Sequence, residues 1–494
     1  MPAEIAESLR KLPFVEVREN GELSIGMNKL YSTYLHGKGF CKYFPGDAAK
    51  ESRIVRLLDK RVEESSIERM KDIVKFDIMS VFKDLPDTPE TEFYRNKLMD
   101  ILISEAKSTF DESKAHFLAE LQEKPMRDTK DSAYFSFLNC VVKATKHGLE
   151  EIAYKDFHGI TWKSHAIQRH FRLNDKESVF AKFLKNVCGH VEPRFSAMCS
   201  AIGYLLHNFK DPARTVCVIL VDEAIDDEPH GGTGKSLIIM AISKIRQVLI
   251  VDGKARKFDG QFAFQDMRPD IDIVVLDDVR NDFKYEHLFH KITGSFQYEC
   301  KNKQMVSLPF EESPKFAITD NYVVADGGDS AERRKFEIEL APHYSKDFTP
   351  VDEFEHTFFQ DWDDEEWNRF DNFMLNCAVG YLKNDLVRPP HINLERRKLI
   401  QQTSADFVEF ADALVADAAK FGVWISKEKL FQDFQREYPD VQRKNLTRNT
   451  FLRWVQKHAG CNKVTITEST QRLQGSGKVE RCIMFVQEAE NDKA

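Results

Sequence analysis

At 494 residues the chain is long enough for roughly three domains, and its 42% apolar content is ordinary for folded protein. A net charge of −9 excludes a chain-wide basic nucleic-acid coat, and no apolar run approaches the roughly 18 residues that span a bilayer. The N-terminus lacks the basic-then-apolar layout of a signal peptide and the nine cysteines form no C-x-x-C pair, so the expectation is a cytoplasmic chain, or at least one not secreted, with reduced core thiols, no zinc ribbon and no membrane partner.

Residues 1–125 are charged and carry helical spacing, clearest in ETEFYRNKLMDILISEAKSTFDESKAHFLAELQ, where Phe93, Leu98, Ile101, Leu102, Ala106 and Phe110 recur every three or four positions. This predicts a mostly helical N-terminal region. Residues 126–193, beginning with the strand-like SAYFSFLNCVVKAT, read as a mixed collar or oligomerisation region, and RFSAMCSAIGYLLHNF (194–209) as an amphipathic helix that opens the next domain.

From Thr215 the period changes. TVCVILVD is a continuous apolar strand, LIIMAISKIRQ a helix, and VLIVDG and DIVVLDDV are further strands, so residues 194–395 predict an α/β domain with a parallel sheet. Beyond residue 400, three helical stretches (SADFVEFADALVADAAKF, KEKLFQDFQREY, NTFLRWVQKHAG) precede two strand-like runs, KVTITES and ERCIMFVQE, which is the layout of a winged helix over 401–494. Acidic residues gather at 222–228 and 361–366, whereas Arg443 to Arg481 carries nine Lys/Arg against Glu468 and Glu480. Contact with nucleic acid is therefore expected to be local.

The chemistry centres on GGTGKSL: Gly231, Gly232, Thr233, Gly234, Lys235, Ser236 and Leu237. A glycine-rich turn between an apolar strand and a helix points backbone N–H groups at phosphate oxygens; Lys235 would reach the β/γ-phosphates and Ser236 would hold Mg²⁺. Pro229 replaces the first glycine of the usual motif, a substitution that fixes φ without blocking a bend. The acidic approach, Asp222 to Glu228, is expected to project away from the triphosphate, which it would otherwise repel. About forty residues on, a strand ends in Asp277-Asp278, where one carboxylate joins the Mg²⁺ shell and a second orients the attacking water. SPKFAITDNY then offers Asn321 at a strand end, and DSAERRKFEIEL offers Arg333 and Arg334, one of which would reach a neighbouring subunit's γ-phosphate.

These elements in this order resemble a superfamily 3 helicase. More narrowly, they resemble the poxvirus-type primase-helicases and the related proteins of phages and mobile elements; the text that carries the likeness is GGTGKSL, VLIVDG, IVVLDDVRNDFKYEHLF, ITGSFQYECKNKQMVSLPFEESPKFAITDNY, SAERRKFEIEL and DWDDEEWNRFDNFM. The resemblance implies an AAA+-like P-loop NTPase core using ATP and Mg²⁺, with Asp277 and Asp278 as the Walker B pair, Asn321 as sensor, and Arg334 or Arg333 as the finger in trans. It also implies a DNA-tracking hairpin, which FQYECKNKQMVSL fits with Lys301 and Lys303 at its turn, and a recognition helix offering Arg443, Lys444, Arg448, Arg453 and Lys457, with the turn near Lys478 as wing. Asp320 stands before the sensor where a small hydroxyl residue is more usual, which together with Pro229 bears on nucleotide affinity more than on activity.

Residues 1–190 show neither a D-x-D carboxylate pair nor a zinc motif, so a separate primase or polymerase is expected. The reading is a ring-forming, hexameric ATP-dependent replicative helicase of a phage or mobile element. Its partners would be single-stranded and forked DNA, and its 3′ to 5′ polarity and six subunits are implied by the resemblance. The alternatives are an origin-melting replication initiator, a nucleotide-sensing DNA-binding regulator without motor activity, and a packaging or defence ATPase.

Overall fold

Apolar runs, uninterrupted in CVILVD and IVVLD before their last acid, become strands of a central parallel sheet. The computed structural model describes residues 1–18, 21–45, 52–224, 232–254, 262–279, 283–299, 301, 305–320, 329–417, 420–439, 446–472 and 479–487. Five strands, β1 (Cys217–Asp222), β2 (Val248–Asp252), β3 (Ile273–Asp277), β6 (Lys315–Thr319) and β7 (Lys335–Leu340), lie in the order β2-β3-β6-β1-β7 and pair in parallel throughout. A short antiparallel hairpin, β4 (Phe296–Tyr298) with β5 (Val306–Leu308), is inserted between β3 and β6.

Successive side chains of a strand point to opposite faces, and here both faces are covered. Val218 and Leu220 enter one core with helices α1 (Glu192–Leu206), α2 (Lys235–Ser243) and α4 (Asp364–Asn384); Cys217, Ile219 and Val221 enter a second with residues of the 263–298 segment. Alpha helices α1 and α4 cross so closely that a Cβ on Gly203 would stand 2.1 Å from the Cys377 carbonyl oxygen, so only glycine fits there.

The regions before α1 are less separable than the sequence implies. Residues 1–125 contain the expected helices, Ile67–Lys83 and Pro89–Ser104, but also strands Phe40–Tyr43, Arg53–Leu58 and Arg61–Glu64. The last of these pairs in parallel with Thr161–Trp162, so a sheet crosses the boundary expected near 125. Of the periodic apolar residues, Leu98, Leu102 and Phe110 are buried whereas Phe93 is exposed, and the helix stops at Ser104. The 126–193 segment folds around strands Ser132–Phe137, Cys140–Thr145 and Gly148–Ala153, and its Phe135, Phe137 and Val142 share the core of α1 and β1.

This junction is held by buried polar groups. Arg246 Nη2 donates to Asp128 Oδ2 (2.7 Å), and Asn208 accepts from Asp128 N and donates from its own N to Asp128 Oδ2. His207 beside them bonds the Thr129 carbonyl through Nε2 (2.7 Å), while its Nδ1 is buried with no hydrogen-bond partner among the described residues. Burial, with Lys315 and Arg246 nearby, pushes the imidazole down to about 4 against the opposing pull of Asp128 and of the hydrogen bond to the Thr129 carbonyl. A base whose folded pKa lies below its unfolded value of about 6.5 loses stability as pH falls through that window. Unfolding free energy is therefore expected to drop by up to about 3 kcal/mol between pH 6.5 and 4, and His207→Gln, measured by urea denaturation, is expected to remove that part of the slope.

The C-terminal residues form their own core. After α5 (Leu394–Gln402) come α6 (Ala405–Ala416), strand β8 (Ile425–Ser426), α7 (Lys427–Glu437), α8 (Arg448–Cys461), β9 (Val464–Arg472) and β10 (Val479–Gln487), with an antiparallel sheet ordered β8-β10-β9. Ser404, Ser426 and Thr447 cap the three helices by accepting from the backbone N–H three residues on. Phe407, Phe434, Phe451 and Phe485 fill the centre.

Candidate functional site

The carboxyl ends of β3 and β6 and the loop that follows β1 open on one cavity of about 540 Å³. The loop after β1 enters α2 through Gly232 and Gly234, whose φ values of +98° and +107° suit glycine alone. A Cβ on Gly234 would also strike the Phe183 ring at 2.7 Å. The helix starts at Lys235, so its first-turn N–H groups, which have no intrahelical acceptor, and its positive dipole end lie at the cavity, an arrangement that favours an anion. Thr233, Lys235, Ser236 and Leu237 line the cavity with Gly232 and Gly234; Gly231 and Pro229 lie outside the described residues.

One expectation needs correcting. Asp222 does not project away from the loop: it is the buried last residue of β1, its Oδ2 accepting from Lys235 Nζ (2.5 Å) and its Oδ1 from Thr233 Oγ1 (2.5 Å). The cause is geometric, since the strand end and the start of the helix that follows the loop are neighbours in this fold. Burial holds the Lys235 ammonium below the usual lysine range, with Asp222 and then Asp320 opposing. Arg397 of α5 donates through Nη1 to the Asp222 carbonyl, which ties the C-terminal linker to the same spot.

Opposite the loop stand Asp277 and Asp278. Asp277 Oδ1 accepts from Thr319 Oγ1, and Asp278 N donates to the Thr319 carbonyl (2.9 Å), so β6 fixes both acids. Asp278 adopts φ +53°, an uncommon value for a non-glycine residue, and its Oδ2 pairs with Lys254 while Oδ1 is buried with no partner among the described residues. Asp320 completes this wall, buried, with its N–H on the Leu220 carbonyl (3.0 Å). Asn321 lies outside the described residues.

The other predicted residues lie elsewhere. Arg333 and Arg334 precede β7, whose first residue pairs with Cys217, so they sit at the amino edge of the sheet, about 20 Å from the Asp222 end of β1. Arg333 is exposed; Arg334 lies 5.0 Å over the Phe289 ring, and its carbonyl accepts from Cys217 N and Tyr285 OH. Lys301 is exposed in the turn of the β4–β5 hairpin, whereas Lys303 lies outside the described residues. On α8, Arg453 and Lys457 are exposed one turn apart, Arg448 pairs with Glu428 (2.7 Å), and Arg443, Lys444 and Lys478 are outside the described residues.

Sequence reasoning missed Thr319, Lys254 and Arg397, and it missed the wall made by Pro350, Val351, Thr357, Phe358 and Gln360. Only the hydroxyl preceding Asp320 carried a local signal.

No family model matches this chain, and no curated protein matches it. Among solved structures, it is similar to the apo structure of the NrS-1 C-terminal region (14% identity over 93% of this chain and 99% of that one, TM-score 0.40). It is also similar to JCV helicase with a bound small molecule (14%, 48% of this chain and 65% of that one, TM-score 0.23) and to the Aeropyrum pernix ORC1 protein in complex with DNA (12%, 64% and 95%, TM-score 0.22).

Proposed function

We propose that the chain is an ATP-dependent DNA helicase of the superfamily 3 type, a ring-forming motor of a phage or mobile element that hydrolyses ATP at subunit interfaces. The observation that carries the reading is the meeting of Lys235, Ser236, Asp277 and Asp278 on one cavity at the carboxyl edge of a parallel sheet. In this reading, the α2 N-terminus and Lys235 bind the phosphates, and Asp278 orients the water that attacks the γ-phosphorus and accepts its proton.

The donor set fits Mg²⁺. Ser236 and Asp277 offer hard oxygens, and an ion of this kind needs only one or two carboxylates besides the nucleotide's own oxygens. Bound there, Mg²⁺ would neutralise charge on the β- and γ-phosphates. Thr319 holds the Asp277 carboxylate from the side, which leaves its other oxygen for that role.

Two features support DNA as the track. A hairpin with exposed Lys301 is inserted between β3 and β6, and the C-terminal unit has the helix–strand–helix–helix–strand–strand order of a winged helix, with Arg453 and Lys457 exposed on α8. Steady-state ATP hydrolysis is expected to rise several-fold with single-stranded DNA, and a forked duplex to be unwound without a particular sequence. Tight ATP binding without turnover would instead favour a nucleotide-sensing DNA-binding regulator, and melting confined to one sequence a replication initiator.

A further inference from the structure

The end of the cavity away from the phosphate loop has a distinct chemistry. Ser236, Leu237 and Met240 share one face of α2, at spacings of three and four residues, so that face runs from the phosphate end towards an apolar one. Met240 is 44% exposed there, and Val351, 48% exposed, faces the same cavity from α3 (Pro350–Phe354) beside Pro350. Two large apolar side chains open to one cavity offer a surface that a flat apolar group could cover.

The second wall is held firmly. Thr349 and Asp352 form a capping box at the start of α3, Glu353 accepts from Asn186 Nδ2 (2.8 Å) and Tyr344 OH (2.7 Å), and Phe358 packs edge-on against Phe183 (5.6 Å), the ring that also abuts Gly234. Phosphate loop and apolar wall therefore share one support, and the seat is preformed.

Polar groups at this end are few. The Thr357 backbone is spent within its own turn, its N–H on Asp361 Oδ2 (2.7 Å) and its carbonyl on Gln360 N and Asp361 N. The Gln360 carboxamide is exposed at the cavity. A carboxamide carries one donor and one acceptor side by side and presents either order after a half-turn. On their Watson–Crick edges adenine (N1 acceptor, N6 donor) and guanine (N1 donor, O6 acceptor) offer adjacent pairs in opposite order, so the same amide reads both; cytosine and uracil carry equivalent pairs, so selection against them falls to the apolar contacts alone.

We propose that this end of the cavity is a purine seat that takes adenine and guanine nucleotides alike and discriminates against pyrimidines, with Met240 and Val351 covering the base and Gln360 reading its edge. It rests on the nucleoside-triphosphate reading of the site and narrows it to a substrate class. The smaller pyrimidine ring covers less of the two apolar side chains, a difference on the scale of one or two methylenes and so about tenfold in affinity.

The test is displacement of a fluorescently labelled ATP from the full-length chain by ATP, GTP, CTP, UTP and inorganic tripolyphosphate. ATP and GTP are expected within about threefold of each other and the pyrimidines about tenfold weaker. Gln360→Leu is expected to weaken both purines equally, by about three- to tenfold, the value of one hydrogen bond. With the probe's own affinity measured for each protein, tripolyphosphate is expected to give the same inhibition constant for wild type and Gln360→Leu, which also shows that the variant is folded. GTP weaker than ATP by a hundredfold, or pyrimidines equal to purines while tripolyphosphate still competes, would overturn the purine seat and leave the triphosphate site standing. If neither tripolyphosphate nor any nucleotide competes, the nucleotide reading falls with it.

Discussion

Lys235→Ala is expected to abolish ATP turnover, a loss of about 10²- to 10³-fold in kcat/KM, the scale seen when one preorganised donor to a developing charge is removed. The ammonium already lies at the mouth of the α2 N-terminus, desolvated, so it interacts with phosphate more strongly than an exposed lysine would. Asp222→Asn separates two roles for the carboxylate that now holds it. If Asp222 competes with nucleotide for the ammonium, the variant keeps its kcat and shows a KM lowered several-fold. If Asp222 instead orients Lys235 while phosphate is bound, kcat falls and KM changes little. The geometry favours the first outcome, because a carboxylate within 2.5 Å of Lys235 places a negative charge where the nucleotide's own must go. Steady-state kinetics on the three proteins decides between them.

The reach of the sequence follows from how local each signal is. Buried parallel strands announce themselves because both faces are covered: CVILVD and IVVLD have no polar interruption before their terminal acids, and both appear in the sheet where the apolar runs place them. The strand–glycine loop–helix unit is legible for the same reason, since its glycines, lysine and serine are contiguous between an apolar strand and a helix. N-terminal strands such as RIVRLL and RVEE are not, because only Val55 and Val62 in them are fully buried and they are short enough to pass for pieces of a charged helix.

Long-range contacts leave no local trace. Arg397 reaches the Asp222 carbonyl across 175 positions, and nothing in LERRKLIQQ marks it as a neighbour of the candidate site. The Pro350–Gln360 wall is a short helix and irregular chain, with neither a period nor a motif to read. Asp222 was misplaced for a related reason: an acid run looks like a solvated loop, but its first member is the end of a strand whose position the sheet dictates.

Arg333→Ala is expected to cost about 10³-fold or more in kcat while leaving nucleotide binding intact, and to be rescued by a partner that is itself inactive. The argument is one of distance. Arg333 stands at the amino edge of β7, and the glycine-rich loop at the carboxyl edge of the neighbouring β1, about 20 Å away, too far for the side chain to serve its own cavity. An exposed arginine so placed acts on a phosphate only if another subunit brings one to it. Arg334 is the weaker candidate, its guanidinium already packed over Phe289, and Arg334→Ala is expected to lower thermal stability more than turnover. Mixing Arg333→Ala with Lys235→Ala then separates the cases. An interface that draws Lys235 from the first protein and Arg333 from the second is complete, and random pairing makes roughly a quarter of all interfaces so in a closed ring. Recovery of turnover from two inactive proteins requires a site shared between subunits. No recovery, with both proteins shown to assemble together, would place hydrolysis within one chain and remove the need for a ring.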